Sequence, residues 1–282
     1  MRKGRFAKGM YDSQTPLNAA VSARDRNVMT MVKEAVAHKQ TMLAYQPIMV
    51  AQEPGRVGFY EGLIRIMDET GRIIPAREFM GSIETTELGR DIDVLSLGMG
   101  LEALHKHPEL RLSINMSARS IGYERWMHTL KQWLRKDESV GARLILEITE
   151  GSAMDQPEVT ANFMDRLSRK GICFALDDFG AGYTALRHFK DFLFDVLKID
   201  GQFCHGIAND LDCEALVKAM VSIGRHFDML IVAEGVERGE DAARLTDLGV
   251  DCLQGYFFGA PSIRPAWIFG EAPQKQATGR RA

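Results

Sequence analysis

The stretch at 172–182 (ICFALDDFGAG) joins an apolar run of strand length to two adjacent carboxylates, Asp177 and Asp178, and then to a glycine-rich turn. Apolar runs of this length are typical of strands inside a sheet. Successive strand residues point to opposite faces, and a buried carboxylate without a partner is costly. The pattern favours a divalent cation at the end of this strand, although aspartate and glycine also occur in simple turns.

Further polar residues end or interrupt apolar runs elsewhere in the chain. They are Glu61, Asn115, Glu147, Lys198, Glu234 and Gln254. Each one alone is equally compatible with a helix cap, a turn or a local ion pair. Barrel enzymes, however, assemble their sites from the carboxyl ends of several strands. Together these residues predict one shared mouth, to which distant parts of the chain contribute.

The predicted mouth would hold many more negative charges than positive ones. Two like charges ~4 Å apart repel by roughly 4 kcal/mol at an effective dielectric of 20, which Lys198 alone cannot offset. Carboxylate and amide oxygens suit Mg²⁺ or Mn²⁺. Two such ions ~3.5–4 Å apart would share and activate one water and would admit an anionic phosphodiester. The residues alone therefore suggest two-metal phosphoester hydrolysis.

The elements that must position these residues follow a regular alternation. Strands are predicted at 41–50, 56–66, 110–115, 143–148, 172–177, 194–199, 229–233 and 250–253. Helices are predicted at 27–38, 76–105 with a break near Gly89, 123–134, 157–169, 211–227 and 239–248. The first two strands follow each other directly and predict an antiparallel pair, whereas the later alternation predicts parallel strands. The count indicates an α/β (β/α)8 barrel, with an open doubly wound sheet as the alternative.

Composition narrows the class of protein. The chain has 282 residues, of which 45% are hydrophobic and 26% charged, as in ordinary globular proteins. A net charge of −3 gives no support to nucleic-acid binding. No apolar run reaches the roughly 20 residues of a membrane helix, and no secretory signal is apparent. The four cysteines form no CxxC pair, so we expect a reducing, cytoplasmic location.

The domain organisation predicted from these patterns has three parts. Residues 1–26 are a basic polar N-terminal arm, 27–270 the barrel domain, and 271–282 a polar C-terminal tail.

Eight separated motifs give the chain a family resemblance. They are YQPI, EGLIR, NMS, LEITE, ALDDFGAGYTAL, LKID, AEGVE and LQGYFFGAP. In order and spacing the chain resembles the bacterial EAL domain over about residues 27–265. The resemblance implies a modified TIM barrel whose first strand is antiparallel to the others. It also implies hydrolysis of cyclic-di-GMP to linear pGpG in second-messenger signalling.

The resemblance assigns roles to individual residues. The metal shell of two Mg²⁺ or Mn²⁺ ions would comprise Glu61, Asn115, Glu147, Asp177 and Asp178. Asp177 would bridge the two ions, and Ca²⁺ is expected to inhibit.

Catalytic roles are implied for Glu61, Lys198 and Glu234. Lys198 would contact the attacking water and the scissile phosphate, and Glu234 would orient the water. The implied substrate contacts are Gln46, Leu63, Arg65 and Gln254. Glu150 would steady the loop at 180–186, which in the family links metal binding to dimerisation.

The chain departs from the family pattern at two positions. Gly62 stands in place of alanine, and Thr184 where serine is common; neither change removes a ligand. The leading expectation is therefore an active phosphodiesterase. The alternatives are a catalytically silent cyclic-di-GMP receptor and a protein-interaction scaffold. No cyclase-like segment is recognisable, and no sensor domain fits in the N-terminal arm. We therefore expect regulation by a protein partner, by formation of a homodimer or by substrate supply, unless the chain is a fragment of a longer protein.

Overall fold

The computed structural model describes residues 16–182 and 186–269, so Thr184, residues 1–15 of the predicted arm, the whole predicted tail and part of the loop at 180–186 lie outside it. The strands are β1 Thr41–Val50, β2 Val57–Met67, β3 Ile73–Pro75, β4 Leu112–Asn115, β5 Leu144–Thr149, β6 Cys173–Phe179, β7 Val196–Ile199, β8 Leu230–Ala233 and β9 Cys252–Leu253. The helices are α1 Pro16–Ala37, α2 Met80–Ile83, α3 Glu87–Lys106, α4 Glu124–Lys136, α5 Glu150–Asp155, α6 Pro157–Ser168, α7 Gly201–Cys204, α8 Leu211–His226 and α9 Gly239–Asp247.

The strands form one sheet that closes on itself. Its order is β1-β9-β8-β7-β6-β5-β4-β2-β3, and β1 also pairs with β2. Strand β3 pairs only with β2 at the edge, which leaves eight strands in the closed barrel. Strand β1 is antiparallel to both β2 and β9, whereas β2 and β4 to β9 run parallel. The predicted barrel with an antiparallel first strand is confirmed, and the open doubly wound sheet is wrong.

The barrel interior contains an apolar layer that is separate from the larger core between strands and helices. Its buried members are Ile48, Phe59, Ala175, Val196, Val232 and Cys252. Each lies two residues along its strand from a predicted site residue, as Phe59 does from Glu61 and Val196 from Lys198. Because strand side chains repeat every two residues, the apolar layer predicts a polar layer directly above it, at the carboxyl ends of the parallel strands.

Local differences from the predicted elements have identifiable causes. Helix α1 begins at Pro16, inside the segment assigned to an arm, because the alanine-rich and arginine-containing sequence has high helix propensity despite lacking a clear apolar stripe.

The predicted helix at 76–105 is interrupted at 84–86, and Gly89 lies within α3. A Cβ at Gly89 would lie 2.8 Å from the carbonyl oxygen of Ile83, so the glycine permits a close approach of the preceding turn.

Three short elements were not predicted, β3, α5 and α7. The turn before β3 is closed by Asp68, whose carboxylate accepts hydrogen bonds from the backbone of Thr70 and Arg72. Pro75 ends β3 and directly precedes a short 3-10 helix at Ala76–Glu78. Across residues 16–182 and 186–269, we find no helix with the length and apolar character that crossing a bilayer requires.

Candidate active site

The ammonium group of Lys198 lies at the centre of the polar layer, on strand β7. The lysine side chain is 1% exposed. Its Nζ lies 2.7 Å from Glu234 Oε1, 2.9 Å from Glu147 Oε2, 2.9 Å from Asp177 Oδ1 and 3.5 Å from Glu61 Oε2. Segments far apart in sequence thus deliver four carboxylates to one point, as the barrel argument predicted.

A chain of side-chain amides holds Glu61 on β2 from both sides. Asn115 Nδ2 donates to Glu61 Oε1 at 2.7 Å, and Gln254 Nε2 donates to Glu61 Oε2 at 2.6 Å. Gln254 Nε2 also lies 3.2 Å from Gln46 Oε1, and Gln46 in turn donates to the carbonyl of Gly259 at 3.2 Å. The contacts leave the amide oxygen of Asn115 available as a ligand and fix the Glu61 carboxylate in one orientation.

The adjacent pair Asp177 and Asp178 shares one mouth because the strand is irregular there. The pairing of β6 with β7 shifts register between Leu176 and Phe179. Asp178 has φ of +56°, in the left-handed region that non-glycine residues rarely adopt. Carboxylate oxygens of Asp177, Asp178 and Glu234 come within 4.8 Å of one another. A strained backbone of this kind, which costs of order 1–3 kcal/mol, often marks a functional site.

Burial and mutual repulsion shift the acidity of this cluster. Burial raises the pKa of Glu234 to about 8 despite Lys198, and burial together with the Asp177 charge raises the pKa of Asp178 to about 6. Burial and the Glu61 charge raise the pKa of Glu147 well above its usual range. Burial also acts to raise the pKa of Glu61, but Lys198 and the two amide donors outweigh it and lower that pKa.

The donor set fits hard divalent cations. Five carboxylates face a single ammonium, a formal excess of four negative charges that two divalent cations would neutralise. Within the described part of the chain, Glu147 Oε1 is buried and has no hydrogen-bond partner, and Asp177 Oδ1 contacts Lys198 without hydrogen-bond geometry. Unpaired carboxylate oxygens in such a site are what a hard divalent cation would engage.

Two cavities open on either side of Leu63 above the polar layer. One, of 350 Å³, is lined by Gln46, Glu61, Glu234, Gln254 and Tyr256 among others. The other, of 400 Å³, is lined by Glu61, Asn115, Glu147, Asp177 and Asp178 among others. The predicted residues Arg65 and Lys198 line neither cavity. Lys198 lies beneath the mouth, and the half-buried Arg65 donates to the carbonyl of Ile64 at 2.9 Å.

The buried Glu150 lies beside the loop that it was predicted to steady. Its Oε2 accepts a hydrogen bond from the Gly180 backbone at 3.2 Å, and its carboxyl group lies 3.9 Å from the position of a Cβ on Gly182. A direct contact between Glu150 and the beginning of the loop is therefore present. Its effect on metal binding stays a prediction.

Arg77 and Tyr256 are candidate site residues that the sequence analysis did not single out. Arg77 Nη1 lies 3.5 Å from the Tyr256 hydroxyl, and the two residues line the cavities on opposite sides of Leu63. Tyr256 is 57% exposed, so its ring is accessible at the edge of the cavity that it lines. The position of Tyr256 in the LQGYFFGAP motif could have identified it from the sequence, whereas no motif or pattern marked Arg77.

The fold and the acidic mouth define an EAL-type barrel, and comparison with known proteins agrees. The model of the EAL domain matches residues 29–261, and the chain belongs to this family. It is 32% identical, over 92% of its length, to MucR of Pseudomonas aeruginosa, a bifunctional diguanylate cyclase/cyclic di-GMP phosphodiesterase. It is 31% identical, over 83% of its length, to the cyclic di-GMP phosphodiesterase PdeF of Escherichia coli.

The matched region is only part of those relatives, since the chain spans 38% of the length of MucR and 32% of PdeF. Among solved structures, the chain superposes on the PaMucR phosphodiesterase in complex with c-di-GMP. The TM-score is 0.74 at 30% identity, over 86% of this chain and 99% of the other.

Divalent-metal binding is expected to release protons and to strengthen as pH rises from about 6 to about 8. The reason is that Asp178 and Glu234, with pKa values of about 6 and about 8, must lose their protons to act as ligands. Calorimetric titration with Mn²⁺ at pH 6.5, in two buffers of different ionisation enthalpy, measures the protons released. A binding heat independent of the buffer would contradict this expectation.

Proposed function

We propose that this chain is a metal-dependent phosphodiesterase that hydrolyses cyclic-di-GMP to linear pGpG. The observation that carries the proposal is the convergence of Glu61, Glu147, Asp177 and Glu234 on Lys198 at the carboxyl end of the barrel. The similarity to proteins named as cyclic di-GMP phosphodiesterases and to a structure solved as a c-di-GMP complex supports the choice of substrate.

Mg²⁺ or Mn²⁺ is the proposed cofactor, held by Glu61, Asn115, Glu147, Asp177 and Asp178. The position of the Glu234 carboxylate, within 4.8 Å of those of Asp177 and Asp178, supports adding it to this set. When bound, the cations would supply Lewis acidity to the phosphoryl oxygens and lower the pKa of water.

The side chains around the cations divide the remaining tasks. Lys198 donates to the phosphate or to the attacking water and remains charged, since the surrounding acids outweigh burial and raise its pKa. Glu234, with a pKa of about 8, is suited to exchange a proton with water near neutral pH. Arg65 is the proposed contact to a phosphate oxygen, after turning from the Ile64 carbonyl.

In the proposed reaction water attacks phosphorus and the bond from phosphorus to one 3′ oxygen breaks. The released 3′ oxygen takes up a proton, and the other phosphodiester stays intact, which gives pGpG. The two cavities beside Leu63 support a ligand that extends to both sides of the reacting phosphate. The amides of Gln46 and Gln254, already linked to each other and to Glu61, would position it.

Incubation of the purified chain with cyclic-di-GMP and Mg²⁺ or Mn²⁺, followed by chromatography of the products, tests the proposal. Formation of pGpG supports it. Binding of cyclic-di-GMP without product would indicate a silent receptor instead. Absence of both binding and product would leave a protein-interaction scaffold as the alternative.

Calcium is expected to reduce the rate of pGpG formation at least tenfold when it replaces Mg²⁺. Its longer and more flexible coordination accommodates the same oxygens but does not hold water and phosphate in the geometry required. Initial rates at matched Ca²⁺ and Mg²⁺ concentrations measure the effect. Equal rates would contradict the proposed role of the carboxylate set.

A homodimer and a regulatory protein partner complete the proposal. Val159 and Leu193 are 46% and 48% exposed, and Val159 shares a surface cavity with Asp191 of the segment that follows the loop at 180–186. The exposed Val159 beside this segment is the candidate contact for association on the side of that loop. Light scattering coupled to size exclusion measures the mass of the assembly.

A further inference from the structure

A cavity of 630 Å³ lies at the opposite end of the barrel from the active site. It is lined by the amino ends of β2 and β5 to β9 and by the end of β1. Its apolar floor includes Phe59, Ile145, Val196 and Cys252, members of the interior apolar layer or packed against it. Ligand sites commonly have volumes of about 300–1,000 Å³. We call this feature the base cavity.

The base cavity is open because a β-bulge places a glycine where a side chain could stand. Ile48 pairs with Phe59 and Met49 with Val57, so Gly58 is the extra residue of strand β2. A Cβ on Gly58 would lie 3.5 Å from the carbonyl oxygen of Ile48 and 3.6 Å from Cys252 Sγ, which are ordinary contacts. A Cβ at this position would therefore be accommodated, and the glycine leaves that space to the cavity, although barrel interiors are normally packed.

The acidic residues at the rim of the base cavity are already engaged. Asp195 accepts a hydrogen bond from the Phe174 backbone at 2.8 Å. Asp251 accepts one from the Ile231 backbone at 2.8 Å and one from Arg225 at 2.6 Å. Both aspartates therefore tie neighbouring strands together, and Asp251 is also paired with Arg225, whereas Asp195 has no ion-pair partner among the described residues.

The basic residues at the rim are less completely paired. Arg56 and Arg225 have carboxylate partners in Glu53 and Asp251. Arg143 donates only to neutral oxygens, the closest being the Leu104 carbonyl at 2.7 Å. Arg111 is exposed, and among the described residues no carboxylate lies within 4.0 Å of its guanidinium. The rim therefore has an excess of positive charge above an apolar floor.

We propose that the base cavity binds a small amphipathic anion. Its apolar body would pack on Phe59, Ile145 and Val196, and its carboxylate or phosphate group would pair with Arg111, with Arg143 adding positive charge at the rim. A guanidinium can bind either anionic group through two parallel hydrogen bonds. The base cavity lies at the far end of the barrel from the acidic mouth, so this ligand is distinct from the proposed substrate.

Calorimetric titration of the metal-free protein with decanoate, and separately with decyl phosphate, tests the proposal without reference to catalysis. We expect one molecule of at least one probe to bind per chain. Decan-1-ol and decyltrimethylammonium should bind at least tenfold more weakly, because they lack the anionic group. Failure of both anionic probes to bind, or equal binding of the alcohol or the cation, would overturn the proposal.

Two variants locate the binding. Gly58→Leu should fill the floor and Arg111→Gln should remove the free cation, and each should weaken binding at least tenfold. Arg135→Gln, which alters an exposed arginine on α4, serves as the matched control and should bind as the parent does. Thermal unfolding checks that each variant folds, and Arg111→Gln tests the proposal even if Gly58→Leu does not fold. Unchanged binding in folded Gly58→Leu or in Arg111→Gln would place the ligand elsewhere and overturn the proposal.

Discussion

Replacing Glu61 by glutamine is expected to lower the rate of pGpG formation by at least about 1,000-fold, or roughly 4 kcal/mol of transition-state stabilisation. Glutamine has nearly the same shape but removes one negative charge from the proposed metal shell. It also cannot accept hydrogen bonds from Asn115 and Gln254 at the same time, because one of its terminal atoms is an NH₂ donor. The substitution therefore removes one negative charge from the proposed metal ligands and also changes the orientation of the side chain at position 61.

The fold is expected to survive this substitution. Glu61 is buried in a cluster with excess negative charge, so losing one carboxylate also relieves repulsion on Glu147, whose pKa should fall. Turnover, Mn²⁺ affinity by calorimetry and the unfolding temperature should be measured together. Glu69→Gln, at an exposed glutamate after the end of β2, is the control. If Glu61→Gln formed pGpG as fast as the parent protein, Glu61 would not be the metal ligand on which the proposed function rests.

Most of the site could be predicted because, in a barrel, residues at the carboxyl ends of the parallel strands lie close together in space even when they are far apart in the sequence. Glu147, Lys198 and Glu234 end apolar runs, and parallel strands in register bring such ends to one rim. The antiparallel first strand was likewise predictable, because β1 and β2 follow each other without a helix between them. The eight family motifs then assigned roles that periodicity alone could not give.

The remaining features depend on irregularities that strand periodicity does not encode. Regular alternation predicts that Asp177 and Asp178 point to opposite faces; the register shift and the positive φ of Asp178 bring their carboxylates together. The β-bulge at Gly58 gave no signal beyond an isolated glycine in a strand, which also fits many ordinary strands. Both features depend on a local departure from regular strand geometry, which can be seen only in how the strands pair in the structure.

Replacing Lys198 by methionine is expected to destabilise the metal-free protein at pH 8 by about 3–5 kcal/mol, the range found when one partner of a buried charge pair is removed. Methionine preserves much of the buried volume but leaves carboxylates of Glu61, Glu147, Asp177 and Glu234 without their shared cation. Turnover should be lost as well, because no ammonium remains to contact water or phosphate.

The pH dependence of this loss has a definite sign. Without Lys198 the buried carboxylates have higher pKa values in the folded than in the unfolded state. Their cost is therefore small near or below the unfolded pKa values of roughly 4 and grows as pH rises toward the folded values. The stability difference between Lys198→Met and the parent should thus shrink between pH 8 and pH 5.5. Urea unfolding in the presence of a chelator measures it at each pH.

Divalent metal should partly reverse the defect, since Mn²⁺ would supply the positive charge that the lysine provided and binds only the folded state. Lys198→Arg, which keeps the charge, and Lys131→Met, which removes an exposed lysine on α4, are the matched controls. A metal-free Lys198→Met protein as stable as the parent at pH 8 would show that the carboxylates do not depend on this ammonium. If the destabilised variant gained no more stability from Mn²⁺ than Lys131→Met does, the proposed ability of metal to replace the lysine charge would fail, while the structural role of Lys198 would stand.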